Sequence, residues 1–226
     1  MGRKRSKDLN EMTNKCLLSY WNPRARAAAQ FREIRNNIDN ASKSGRIKTL
    51  LVTSPAPRDG KTTTVVNLAI SKTQRGEKVL IVDANMRNPV IHDIFNVPSS
   101  PGLMNVLSGS SSFEDSVYPT GIARLDVLPF GSQHHHYIEW LGSQIMRNFL
   151  ETANKKYDCV ILDSAPLLDA LDTSALAGQV DGVVLVLTGG VTQRQLALKA
   201  KRTLEFSAKA PIVGVILNER VSGATV

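Results

Sequence analysis

The chain has little cysteine, no long apolar runs, and no net charge over most of its length. Cys16 and Cys159 are the only cysteines in 226 residues. They form no CxxC or metal-ligand spacing and read as reduced thiols in a cytosolic protein. No apolar run approaches the roughly 20 residues that span a bilayer, and Met1–Lys15 has no apolar h-region. Neither a membrane helix nor a secretory signal is expected. The charge total is 28 − 20 = +8, but residues 1–48 hold 12 Lys/Arg against 4 Asp/Glu, whereas residues 49–226 hold 16 of each. A neutral body disfavours a basic nucleic-acid surface, so nucleic acid is not an expected partner. Apolar residues at 42% and charged residues at 21% exclude wholesale disorder. The length suits one domain with a sizeable core.

What is present is ordered along the chain. Residues 1–23 are polar, with Arg3, Lys4, Arg5 and Lys7 clustered, and read as a flexible basic arm. Residues 24–226 read as a single domain that begins with a helix over 24–42. Within that helix Ala27, Phe31, Ile34 and Ile38 fall 4, 3 and 4 apart on one face. Arg32 and Arg35, three apart, project together beside it. Beyond Gly45, runs of Val, Ile and Leu at 48–53, 79–83, 125–129, 159–163, 182–187 and 212–217 predict strands. Helix-like stretches at 62–74, 137–155, 173–179 and 192–205 alternate with them. The strand runs are continuous rather than alternating, as a parallel sheet covered on both faces requires. The pattern predicts an α/β fold, a doubly wound, mostly parallel sheet flanked by helices, with ligands beyond the strands' carboxyl ends.

The strongest chemical signal follows the first strand. Ser54-Pro55-Ala56-Pro57-Arg58-Asp59-Gly60-Lys61-Thr62-Thr63 ends in the Gly-Lys-Thr of a P-loop, between a strand and a helix as that motif needs. Backbone N–H groups there converge on phosphate oxygens. Lys61 reaches the terminal phosphates and Thr62 offers a hydroxyl to Mg²⁺. Asp83 and Asp163 each close an apolar strand and fall on the same sheet edge, where a hard cation finds carboxylate oxygens. The loop carries Pro55 at its first glycine position.

These residues, with Val82–Pro89 and Val160–Pro166, resemble the bacterial tyrosine kinases (BY-kinases) of exopolysaccharide and capsule synthesis. Those kinases are relatives of the MinD/ParA-type P-loop ATPases. Phe31–Ile38, Gly102–Gly109, Asp181–Val186 and Val213–Asn218 extend the resemblance from about Asn22 to Asn218. The resemblance implies a P-loop fold and a cytoplasmic, MgATP-dependent protein-tyrosine kinase peripheral to the inner face of the membrane. It implies Asp83 as the base that activates a tyrosine hydroxyl and helps hold Mg²⁺, and Lys61 as its catalytic partner on the phosphates. Asp163 and Thr62 fall on the metal side. Pro57, Arg58, Asp59, Gly60, Lys61, Thr62, Thr63 and Asn85 line the nucleotide, with Asn218 against adenine. A membrane-embedded activator is the implied partner, and Arg32 and Arg35 the implied homo-oligomer contact.

Four departures modify that expectation. The family's Asp-x-Asp reads Asp83-Ala84-Asn85, which removes a carboxylate. Its Pro-Gly-Glu-Gly reads Pro57-Arg58-Asp59-Gly60, which adds a cation and loses a glycine. Its tyrosine-rich tail is not found at Ala224-Thr225-Val226; the tyrosines are Tyr20, Tyr118, Tyr137 and Tyr157, so tyrosine substrates are expected in trans. Its Glu-x-x-Arg-x-x-Arg helix motif reads Ala29, Arg32, Arg35. His134, His135 and His136 lack a defined coordination geometry and read as loop. Two alternatives stand beside the kinase: a degenerate nucleotide-binding regulatory paralogue, favoured by Asn85, and a ParA/MinD-like ATPase, disfavoured by Pro55 where those proteins carry a second lysine.

Overall fold

Apolar runs with both faces to cover can only pair inside a sheet, and all six do. The computed structural model describes residue 13 and residues 16–41, 47–133, 137–208 and 210–218. It contains β1 (Thr49–Thr53), β2 (Val79–Ala84), β3 (Tyr118–Pro119), β4 (Leu125–Leu128), β5 (Cys159–Ser164), β6 (Gly182–Thr188) and β7 (Ile212–Asn218) in the order β3-β4-β2-β5-β1-β6-β7. Every pairing is parallel except that of β3 with β4. Successive side chains alternate between two buried cores. Leu51, Leu80, Val82, Val160 and Leu162 enter one, and Leu50, Val52, Ile81 and Ile161 the other. The doubly wound expectation holds.

One core lies under α1 (Leu18–Trp21), α2 (Arg26–Ala41), α3 (Lys61–Thr73) and α4 (Ile91–Phe95). The other lies under α5 (Leu103–Leu107), α6 (Phe113–Ser116), α7 (Tyr137–Leu141), α8 (Gln144–Lys156), α9 (Leu171–Ala177) and α10 (Arg194–Arg202). The single helix expected over 137–155 is two. Gly142 sits where a Cβ would come within 3.2 Å of the Ala175 Cβ. Ser143 then caps α8 by accepting a hydrogen bond from the Ile145 N–H at 3.1 Å. Short α4, α5 and α6 and the two-residue β3 carry too few residues to show a period, so the sequence reading missed them.

The basic arm is corrected at its inner end. Residues 1–12, 14 and 15, with Arg3–Lys7, lie outside the described residues, as do His134–His136. Cys16–Ser19, however, packs on the body: Cys16 is 3% exposed, Leu17 7% and Ser19 1%. Asn67 of α3 makes this possible by bonding the segment's backbone. Its amide donates to the Cys16 carbonyl at 2.7 Å and to the Thr63 carbonyl at 2.9 Å, while its oxygen accepts from the Ser19 N–H at 2.8 Å. The two helix arginines are also engaged within the chain. Arg32 donates to the Pro23 carbonyl at 2.9 Å and Arg35 to the Ser71 carbonyl at 2.6 Å.

Candidate active site

With β5 between β1 and β2, the carboxyl ends of all three strands adjoin, and Asp83 and Asp163 are register partners. The segment Ser54–Gly60 leaves β1 and turns into α3. Gly60 caps α3 at φ +91°, and a Cβ there would meet the Asn218 Nδ2 at 2.3 Å, so the position requires glycine. Arg58 is also left-handed, at φ +67°, which costs a residue with a Cβ roughly 1 kcal/mol.

Asp59 fixes this strained turn. Its Oδ1 accepts from the Thr192 hydroxyl at 2.7 Å and its Oδ2 from the Ala56 N–H at 3.3 Å. Its carbonyl accepts from the Asn218 Nδ2 at 3.3 Å. The Asp59 carboxylate, expected to line the nucleotide, is thus turned into its own loop and against the end of β6. Lys61 is 7% exposed, and its Nζ donates to the Ser54 hydroxyl at 3.0 Å. Burial lowers its pKa, while Asp163, Asp59 and Asp169 oppose the shift.

Thr62 and Asp163 meet as the sequence implies: the hydroxyl donates to the Asp163 Oδ2 at 2.7 Å. Asp163 is fully buried, and its Oδ1 has no hydrogen-bond partner among the described residues. Burial raises its pKa to about 6, against the pull of the Thr62 hydrogen bond and of Lys61. Asp83 is also fully buried. Its Oδ1 accepts from the Asn85 N–H at 3.1 Å, and its Oδ2 from the Val90 and Ile91 N–H groups, both at 3.1 Å. Burial, and then the neighbouring Asp163, push Asp83 up to about 8; the three backbone donors only partly offset them.

A cavity of about 1070 Å³ opens in front of these groups. Of the expected site residues, Pro57, Arg58, Gly60, Lys61, Thr62, Thr63 and Asn85 line it, and Asp59, Asp83, Asp163 and Asn218 do not. The sequence reading missed Cys16, Arg87, Asn88, Val90, Pro166 and Asp169, which complete the wall. Arg87 donates to the Asp169 carbonyl, joining the turn after β2 to the turn after β5. Cys16 stands 3.6 Å from the Thr63 hydroxyl.

The residues fit a nucleotide and a divalent cation. Asp163 Oδ1 is a buried carboxylate oxygen without a partner, beside a hydroxyl and a second strand-end carboxylate, a donor set of hard oxygens. Among the described residues no cluster of three or more His, Cys, Asp or Glu side chains occurs. Thr62 and Asp163 would hold a cation here, which would supply positive charge beside the phosphates.

A glycine-capped strand–loop–helix with a buried lysine, a hydroxyl and two strand-end carboxylates defines a P-loop nucleotide-binding protein. The comparisons narrow that class. An AAA domain model matches residues 59–197. The tyrosine-protein kinase YwqD of Bacillus subtilis is 38% identical over 196 residues, covering 87% of this chain and 82% of that one. The crystal structure of the chimerical protein CapA2B2 superposes with a TM-score of 0.85 at 34% identity, covering 90% of this chain and 89% of that one. MinD of Pyrococcus horikoshii, solved with Mg-ADP, shares the fold, with a TM-score of 0.65 at 23% identity over 78% of this chain and 72% of that one. The chain belongs to the bacterial tyrosine-protein kinase family. Among the described residues no helix is long and apolar enough to cross a membrane.

Proposed function

We propose that the protein transfers the γ-phosphoryl group of ATP to tyrosine hydroxyls of other proteins in exopolysaccharide or capsule synthesis, working in the cytoplasm at the inner face of the membrane. The observation that carries this reading is the meeting of Lys61, Thr62, Asp163 and Asp83 at one sheet edge behind a single cavity. Phosphoryl transfer asks a protein mainly for positioning and for charge neutralisation. When bound, Mg²⁺ supplies positive charge between the phosphate oxygens.

The chain's own groups do the rest. The N–H groups of Pro57–Thr63 that face the cavity, with the start of α3, orient the phosphates; Pro57 itself has no N–H and shapes the turn. Lys61, held by the Ser54 hydroxyl, neutralises charge on the transferring group. Asp163 orients Thr62 toward the cation. Asp83 takes the tyrosine proton as a carboxylate: in the empty site its carboxyl is raised to about 8 and holds its own proton at neutral pH, and the positive charge of a bound cation would favour the ionised form that acts as base. Its Oδ1 holds one backbone donor, the Asn85 N–H, against two on Oδ2, and so keeps a lone pair for that proton. Asn218 stands at the far side of Gly60, where it supports an adenine role.

The CapA2B2 likeness supports a membrane-embedded activator as partner. Homo-oligomer contacts through Arg32 and Arg35 would draw on the guanidinium donors not given to the Pro23 and Ser71 carbonyls. A second reading, a nucleotide-binding regulator with little transfer, draws on Asn85, an amide beside Asp83 at the cavity wall. The test is a γ-phosphate transfer assay with the activator's cytoplasmic segment, comparing native protein with Asn85→Asp. Phosphotyrosine from the native protein supports the kinase. Bound ATP with neither phosphotyrosine nor free phosphate supports the regulator.

A further inference from the structure

The cavity wall is more cationic than a P-loop alone requires. Arg58, Lys61 and Arg87 line it against one lining carboxylate, Asp169, while Asp83 and Asp163 sit behind the wall without exposed surface. Two of the three cations are engaged: Lys61 by Ser54 and Arg87 by the Asp169 carbonyl. For Arg58 no hydrogen bond or ion pair is found among the described residues. Its side chain is exposed, but its backbone is fixed. It holds φ +67°, next to Asp59, which Thr192, Ala56 and Asn218 pin from three sides. A non-glycine residue kept in that conformation marks a position where strain is tolerated for a purpose. Across the cavity, Asn85 offers an amide, which neither repels phosphate nor recruits a cation as a carboxylate would.

We propose that Arg58 clamps the nucleotide's phosphates and supplies part of the charge neutralisation otherwise provided by the divalent cation, so that this site takes a nucleoside diphosphate with little dependence on metal. The inference rests on the nucleotide reading above. A guanidinium is permanently charged and meets phosphate oxygens with paired N–H donors. Arg58 adds one positive charge to the wall, and Asn85 withholds one negative charge. Both act in the same direction.

The experiment is calorimetric titration of the full chain with ADP, once with magnesium in excess and once with EDTA, for native protein, Arg58→Gly and Asn85→Asp. Glycine adopts φ +67° without strain, so Arg58→Gly keeps the loop, and its melting temperature without nucleotide equals or exceeds the native value. Native affinity should fall less than about threefold on removing magnesium, whereas that of Arg58→Gly should fall roughly tenfold. Asn85→Asp should also become more magnesium-dependent. The proposal is overturned if native protein and both variants show the same dependence, or if Arg58→Gly binds ADP more tightly in both buffers, which would make Arg58 an obstruction. Failure of native protein to bind ADP in either buffer overturns the nucleotide reading itself, a result distinct from both.

Discussion

Two adjacent carboxyls without solvent should make the protein, free of nucleotide and metal, lose stability as pH rises. Asp83 is pushed from its ordinary value of 3.8 to about 8, by burial and then by Asp163. Between those two values the folded chain holds a proton that the unfolded chain has released. The unfolded state binds fewer protons, so stability falls with pH. The contribution is fully present below about pH 4 and is gone above about pH 8. Within the window the slope for one proton is about 1.4 kcal/mol per pH unit, so going from pH 5 to pH 7 should remove roughly 3 kcal/mol. In a domain of this size that lowers Tm by roughly 6–12 °C, with Asp163 adding to the loss below about pH 6. Asp83→Asn mimics the protonated form, because its amide carries a donor where the acid carries its proton. The assay is differential scanning fluorimetry in EDTA over that range. Native Tm should fall, and the slope for Asp83→Asn should be half or less. A flat native curve, or an equally steep one for Asp83→Asn, would refute the burial argument.

Other outcomes follow from single contacts. Asn67→Ala removes the two bonds that hold Cys16–Ser19 on α3 and should cost about 1–3 kcal/mol. In a Cys159→Ser background it should speed thiol labelling of Cys16 by an order of magnitude or more. Gly60→Ala puts a Cβ against Asn218 at φ +91° and should destabilise by about 1–3 kcal/mol while weakening ADP binding by titration. Adding Asn218→Ala should relieve the clash but not the backbone strain, so recovery is partial. Thr192→Val takes the hydroxyl from the buried Asp59 Oδ1 and should cost about 1–3 kcal/mol by urea denaturation.

The parts of the fold readable in the sequence were those set by local chemistry. The strands announced themselves because a parallel strand covered on both faces must be apolar throughout. Lys61, Thr62 and Asp163 were readable because loop and strand-end positions fix where they point. Asp59 was placed in the site by its position in the loop, yet its carboxylate serves Thr192, a partner 133 residues away that no local pattern indicates. Cys16 was assigned to an arm because Cys-Leu-Leu is too short to show a period. Its burial depends on Asn67, whose two bonds to the segment span about 50 residues and appear only after folding. Arg87 lay within a quoted motif, but its contact with Asp169 depends on two turns that the sheet order brings together.

The central claim is that this cavity moves a phosphoryl group onto tyrosine rather than onto water. Incubation with γ-labelled ATP, magnesium, a tyrosine-containing protein substrate and the activator's cytoplasmic segment, read as the ratio of phosphotyrosine to free phosphate, tests it most directly. Phosphotyrosine should predominate and should vanish in Lys61→Met. Free phosphate predominating in the native protein, with phosphotyrosine no higher than in Lys61→Met, would contradict the account.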